Sequence, residues 1–218
     1  MSTTALPSPR DSEAKLQHIL LHAAQIFAER GFEGASIRDI SRATGVSLSG
    51  LYYYFESKQK LLYLIQHNTF SLIIDRLVAR LKDVHDPQAR LRIMVQNHIE
   101  YFLSHPNEMK VVSHEDEALD PPYREEIEAI KRRYYTLGRQ IFDAIGPDCL
   151  APGLNRRVAV LSLFGMTNWV YKWHNSKIDP DAEGLTDAIL GIFLRGVLSA
   201  PDKEPALSTA GAPAATSD

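Results

Sequence analysis

Three consecutive tyrosines, Tyr52, Tyr53 and Tyr54, are followed by a cation, Lys58. Neighbouring residues on a helix point in different directions, so three rings in a row cannot all enter one small core. Some must present phenolic hydroxyls to solvent or to a partner. Hydroxyls and an ammonium near one another can hold phosphate oxygens. Bond-making needs other groups, and the sequence does not supply them. Gly45-Val46-Ser47-Leu48-Ser49 lacks the closing glycine of a nucleophile elbow. His114-Glu115 has no second histidine four residues after the first, as a zinc-protease helix requires. His18 and His22 stand one turn apart but have no evident third ligand. No glycine-rich phosphate loop is present. The expectation is a binding protein, not an enzyme, with no cofactor and no metal.

The tyrosines belong to the stretch Ser36–Phe55. Ser36 is a helix N-cap, with Asp39 three residues on as a short capping-box partner. Ile37, Ile40 and Ala43 fall at helical spacing, and Gly45 closes the helix where a left-handed residue is needed. Ser47 caps a second helix of roughly two turns that ends near Tyr53. Two short helices joined by a glycine turn form a helix-turn-helix, whose second helix can enter a major groove. The alternative is an ordinary corner between two helices. Before this pair, Leu16, Ile19, Leu20, Ala23, Ile26 and Phe27 mark a bracing helix from Asp11 or Ser12 to Gly31.

The segment GFEGASIRDISRATGVSLSGLYYYFESKQKLL resembles the N-terminal DNA-binding domain of the TetR family of transcriptional repressors. Gly31-Phe32, the Ile37/Ile40 pair, Gly45-Val46-Ser47, Leu51-Tyr52, Tyr54-Phe55 and Ser57-Lys58 carry the likeness, over about residues 12 to 64. The resemblance implies that Arg38 reaches a base edge or a phosphate. A bidentate contact to guanine there would contribute about 1–3 kcal/mol of discrimination. Ser36 at its helix N-terminus suits a phosphate oxygen. Ser47, Leu48, Ser49 and Gly50 form the leading turn of the recognition helix. Small Ser49 and Gly50 allow close approach to the groove, and Leu48 can touch a thymine methyl. Tyr52 and Tyr53 are the expected phosphate clamps, with Lys58 a further phosphate contact. Tyr54 lies between core edge and phosphate contact, while Leu51 and Phe55 read as core. This recognition helix has no Arg, Lys, Asn or Gln, so specificity is expected to be spread over Arg38, Ser49, apolar contacts and DNA shape.

Charge and composition agree with a local interface. The chain has 218 residues, 44% of them hydrophobic, and a net charge of −3, so it has material for a buried core and no global basic excess. Residues 1 to 58 hold six Lys or Arg and six acids, so geometry must carry affinity where gross charge does not. Cys149 is the only cysteine, which excludes an intrachain disulfide and fits a reducing compartment. The N-terminal residues lack the apolar run of a secretory signal, and Val158–Met166 is too short to span a bilayer. The expected location is the cytoplasm, without a membrane partner.

Everything after Ser57 reads as helix. A helix from Lys58 to about Lys82, capped by Ser57 and nearly 40 Å at ~1.5 Å per residue, links the head to the body. Asp86-Pro87, Pro106 and Asp120-Pro121 open further helices. The next helix, capped by Asn155, is apolar almost all round from Val158 to Tyr171. The last carries Leu185, Ile189, Ile192, Phe193 and Gly196 on one face. The fold class is all-α: an N-terminal three-helix helix-turn-helix domain and a C-terminal helical domain for ligand binding and dimerisation. The expected divisions are a disordered arm (1–11), the DNA-binding domain (12–56), the helical body (57–199) and a disordered tail (200–218). Arg10 and Lys15 could reach a minor groove or phosphates, as an N-terminal arm does; the alternative is a solvated tail.

Paired heads about 34 Å apart can read a palindrome on double-stranded DNA, so a homodimer is expected. Ser162, Gly165, Trp173, Ile189 and Phe193 on the last two helices are the candidate dimer interface. His98, Tyr101, Phe102, Tyr134, Asn168 and Trp169 put polar atoms or rings on apolar faces and are candidates to line an effector pocket. The alternative for each is a satisfied core position. SHEDEALDPPYREEIEAIKRRYY and SLFGMTNWVYKWH look similar to a TetR-family subset that answers to acyl-CoA thioesters. Arg132, Arg133, Arg139 or Lys172 at the mouth of a tunnel would then suit its phosphorylated end. A multidrug or aromatic ligand is the competing effector.

Overall fold

Helix α1 runs Pro9–Gly34, and its stripe of Ile19, Leu20, Ala23, Ile26 and Phe27 is buried. The computed structural model describes residues 9–115 and 117–198. Residues 9–11, expected in a disordered arm, are the first turn of α1. The rest of that arm, Asp116 and everything from residue 199, the expected tail included, lie outside the described residues. Gly31 has φ 73° and kinks α1 near its end, a backbone conformation open to glycine because it lacks Cβ. The kink turns Phe32 inward, where its ring meets Phe27 edge-on at 5.4 Å.

Helices α2 (Ile37–Thr44) and α3 (Leu48–Tyr54) follow, then α4 (Lys58–Leu81). The capping box at the start of α2 is complete, and Gly45 ends that helix with φ 69°. Ile40, Val46, Leu51 and Phe55 join the α1 stripe in one core. That core also takes Leu61, Leu62 and Ile65 of α4 and, from farther along the chain, Val111, Leu119 and Ile127. The body therefore helps to seal the head.

The body consists of α5 (Pro87–Ser104), α6 (Pro106–His114), α7 (Pro121–Asp143), α8 (Arg156–Asn168), α9 (Val170–Trp173) and α10 (Ala182–Val197). α5 packs between α4 and α10, and α7 lies along α4. Asn97 donates to the Ile73 carbonyl at 3.0 Å, which pins α5 to α4 inside the core. Arg76 and Arg80 both meet Glu100 across the same pair of helices. After α7, a short 3-10 turn at Pro147–Cys149 leads to an isolated bridge between Leu150 and Leu198.

The apolar run read as one helix to Tyr171 is broken at Asn168. Thr167 turns its hydroxyl back onto the Leu163 and Phe164 carbonyls at 3.0 and 3.2 Å. Such back-bonding competes with the helix ladder and bends it. Trp169 sits at the break with φ −86° and ψ −11°, and the short α9 follows. None of the described helices is long and apolar enough to cross a membrane.

Candidate functional site: an exposed reading head and the cavity behind it

α3 stands on the surface with its aromatic side outward. Tyr53 is 71% exposed and Tyr52 53%, while Leu51 beneath them is fully buried. Tyr54 is half-buried, packed against the head core and edge-on to Tyr53 at 5.1 Å. Leu48, Ser47 and Ser49 are exposed at the leading turn. The Ser47 hydroxyl accepts from Gly50 N–H at 3.2 Å and so caps α3. A Cβ on Gly50 would stand 3.0 Å from Val46 Cγ1. Its missing side chain thus makes room inside the turn before it makes room for any partner.

Two expected phosphate contacts are corrected. Lys58 points inward: its Nζ donates to the Phe32 and Ala35 carbonyls at 2.9 and 3.3 Å and lies 4.2 Å from the Phe32 ring centre. The Phe32 carbonyl, near the end of α1, also accepts from Ala35 N–H at 3.3 Å, and the Ala35 carbonyl lies just past that end. The Ser36 hydroxyl is also committed, donating to Asp39 Oδ2 at 2.5 Å while accepting from Asp39 N–H at 3.2 Å. What α2 keeps for a phosphate is its first backbone N–H groups, the donors a helix start leaves open. Arg38 is exposed beside them. Two cations that sequence reasoning did not assign complete this surface. Arg30 and Arg42, 55% and 77% exposed, both pair with Asp39. Hydrogen bonds from Ser36, then the two guanidinium groups, hold the Asp39 carboxyl below its ordinary value.

Behind the head, α4 to α9 line a cavity of about 480 Å³, partly open to solvent. It gathers His98, Phe102, Tyr134, Asn168 and Trp169 of the expected lining. Tyr101 is the exception. It faces a smaller cavity of about 200 Å³ between α1, α4 and α5, because it is adjacent to Phe102 on α5 and points around the helix from it. Burial pushes its phenol up to about 12. The inner wall is aromatic: the His98 ring lies 3.8 Å from Phe102 and 6.0 Å from Phe164, and parallel to Tyr134. His98 Nδ1 and Tyr134 Oη are 2.9 Å apart. Burial, with Asn168 the opposing influence, pushes His98 down to about 3, and burial raises the Tyr134 phenol. Both are neutral near pH 7.

The cations expected at the mouth are elsewhere. Arg132 pairs with Glu128, and Arg139 with Asp143. Neither these, nor Arg133, nor Lys172 lines the cavity; Lys131 and His114 do. Lys131 lies 5.7 Å from the Phe70 ring centre, and His114 Nε2 is 3.0 Å from Tyr171 Oη. The run of three basic residues Lys131, Arg132 and Arg133 gave no signal as to which one the helix would turn inward.

The dimer candidates divide in the same way. Ser162, Gly165 and Trp173 are exposed. Ile189 and Phe193 are instead buried in the body, where Phe193 meets Phe142 at 5.8 Å. The outward side of α10 is one position away: Ala188, Ile192 and Gly196, with Ile192 66% exposed. Beside it Val158 and Leu161 of α8 and Trp169 are also exposed. A Cβ on Gly165, Gly191 or Gly196 would meet nothing within 4 Å.

Comparison with known proteins agrees with both halves of the molecule. Residues 84–197 match the family described as tetracyclin repressor-like, C-terminal domain. Residues 19–63 match bacterial regulatory proteins of the tetR family. The chain is 26% identical over 192 residues to the probable acrEF/envCD operon repressor of Escherichia coli K12, which spans 82% of this chain and 86% of that one. Among solved structures it is similar to AibR in complex with isovaleryl coenzyme A and operator DNA, at 27% identity and a TM-score of 0.73, covering 82% of this chain and 97% of AibR. It also shares the fold of the ketosteroid regulator KstR2 of Mycobacterium tuberculosis, at 19% identity and a TM-score of 0.76, over 91% of this chain and all of that one. The chain belongs to the TetR family: it is a DNA-binding transcriptional regulator, not an enzyme.

Proposed function

We propose that two copies of this chain repress transcription by holding a palindromic operator through paired α3 helices, and that an acyl-CoA thioester in the cavity releases them. The observation that carries this reading is the pairing of an outward α3 with a cavity behind it, both attached to α4. Tyr52 and Tyr53 expose rings and hydroxyls that no part of the body covers. α4 extends from the head core to the cavity wall, roughly 36 Å at ~1.5 Å per residue. A shift at its far end moves the head, and heads that no longer match successive major grooves lose the second half-site.

The apolar, aromatic-walled cavity suits a short branched acyl chain. Lys131 and His114 give it two groups that can meet an anionic tail. AibR, a relative of similar fold, binds isovaleryl coenzyme A together with operator DNA. The open face of α8 and α10 is the proposed dimer contact, with Ser162, Gly165 and Ile192 at its centre and its small residues allowing close helix approach. A second reading, an aromatic effector, is favoured by the ring-rich wall of Phe102, Tyr134, Tyr135, Phe164 and Trp169.

A gel shift against the DNA flanking the protein's own gene tests the reading. Binding at low salt that weakens steeply as salt rises is expected. Isovaleryl-CoA should release the DNA and free coenzyme A should not. No shift at low salt would remove the DNA-binding role, and release by aromatic compounds alone would favour the second effector.

A further inference from the structure

Among the described residues, four buried side-chain atoms lack a hydrogen-bond partner: Gln66 Oε1, Thr69 Oγ1, Asn97 Oδ1 and His98 Nε2. Buried polar atoms are nearly always paired, so each such atom asks for an explanation. Gln66 and Asn97 each use their amide nitrogen to tie helices together and do not line the cavity. Thr69 lies in the wall shared by the two cavities. His98 is different, because it is 3% exposed and yet lines the larger cavity.

The other edge of the imidazole settles what Nε2 offers. Nδ1 is 2.9 Å from Tyr134 Oη. A neutral phenol is a strong donor and a neutral imidazole nitrogen a strong acceptor. The pair is satisfied with Tyr134 as the donor to Nδ1, and the ring's one proton then resides on Nε2. Phe102 and Phe164 pack against the ring, and the cavity-lining amide of Asn168 stands near enough to influence it. We infer that the cavity reads a carbonyl oxygen on its effector, to which His98 Nε2–H donates, and that the effector is uncharged at this inner end. The proposal rests on the cavity being the effector site.

Burial supports the second half. It pushes His98 down to about 3, so no imidazolium is available to draw a carboxylate inward. Charge belongs at the Lys131 and His114 side of the same cavity. A thioester carbonyl between an apolar acyl group and a charged tail fits this order, and so does an aromatic ketone. A free acid or a plain hydrocarbon does not, since one places a charge and the other no acceptor against the N–H.

Titration calorimetry on the full chain tests this with two matched pairs. One is isovaleryl-CoA and its thioether analogue, in which a methylene replaces the carbonyl. The other is acetophenone and ethylbenzene. Wild-type protein should prefer the carbonyl member of a pair by about tenfold. His98→Phe should lose that preference while binding the carbonyl-free member as before. Nitrogen NMR of the imidazole in unliganded wild-type protein gives a readout that does not depend on how the variant folds. A proton on Nε2 is expected, and one on Nδ1 overturns the proposal. Preference in the aromatic pair with neither CoA compound bound would remove the acyl-CoA reading and leave carbonyl recognition standing. No preference in either pair, or one that persists in His98→Phe, overturns it.

Discussion

Lys58 shows what a sequence can and cannot say about one side chain. Its place after the Ser57 cap was legible. Its direction was not, because the carbonyls that claim it belong to Phe32 and Ala35, 26 and 23 residues earlier. A charged hydrogen bond of this kind contributes about 1.5–3 kcal/mol, so Lys58→Met should lower stability by about that amount in a urea melt. An unchanged midpoint would mean that the ammonium is not needed to close the turn. Tyr53 is the opposite case. At 71% exposure it touches little of its own chain, so Tyr53→Ala should alter stability by no more than about 0.5 kcal/mol while weakening operator binding in a gel shift. His98 gives a pH signature. Its ordinary value is 6.5 and its folded value about 3, so below pH 6.5 the unfolded chain takes up a proton that the folded chain refuses. Stability from this group is therefore full above pH 6.5 and declines as pH falls toward 3. In melts across that window, wild type should lose stability relative to His98→Phe as acid is added. Parallel curves would show that the imidazole is not held neutral.

Caps, breaks and apolar stripes were legible for most helices, because they are local: Ser36, Ser47, Ser57, Asp86 and Asn155 all cap where their spacing placed them. What stayed hidden depends on rotation about a helix axis once partners are in place. A one-position turn of α10 puts Ile192 outside and Ile189 and Phe193 inside; a similar turn of α7 makes Lys131, not Arg132, a wall of the cavity. α7 also joins the cavity to the head. Tyr123 near its start donates to Glu56 at 2.9 Å, in the link between α3 and α4. Tyr63 of α4 donates to Glu126 at 2.6 Å, and the Tyr63 and Tyr123 rings stack at 4.9 Å beneath Lys60. Gln59 adds bonds to the Ala118 carbonyl and the Asp120 N–H. Tyr134 stands eleven residues beyond Tyr123 on the same helix, roughly 16 Å away. A rigid rod held at both ends passes a small displacement along its length. Tyr123→Phe removes only the hydroxyl to Glu56. It should leave operator affinity in the gel shift within about threefold and raise the isovaleryl-CoA concentration needed for release. Equal effector curves for the two proteins would show that α7 does not drive the head through this contact.

A single chain of this shape leaves Val158 and Ile192 exposed on neighbouring helices, with Ser162, Gly165, Ala188 and Gly196 exposed on the same two helices, while exposed Leu161 and Trp169 also line the cavity. Apolar surface gathered in this way usually marks an interface. A homodimer has a specific reason to use it, because each head is too small to specify much DNA and gains specificity when a second head is fixed one helical turn away. Two-fold symmetry sharpens the test. A residue near the axis meets its own copy or a close neighbour, so one substitution alters both sides of the contact. Ile192→Glu would set two carboxylates into that face at a position 66% exposed in the single chain. The folded chain itself should tolerate the change, with a melting temperature close to that of a dissociated wild-type protomer. Sedimentation velocity should show dimer for wild type and monomer for the variant at micromolar concentration. Operator affinity should fall by more than about a hundredfold, because the two half-sites then bind independently. Tyr53→Ala, by contrast, should weaken DNA binding without altering the sedimentation profile, which separates loss of pairing from loss of contact. If Ile192→Glu remains a dimer, the contact lies on another face. If wild-type protein binds its operator as a monomer, the heads are not coupled through the body, and displacement of one by an effector would have no second head to pull out of register.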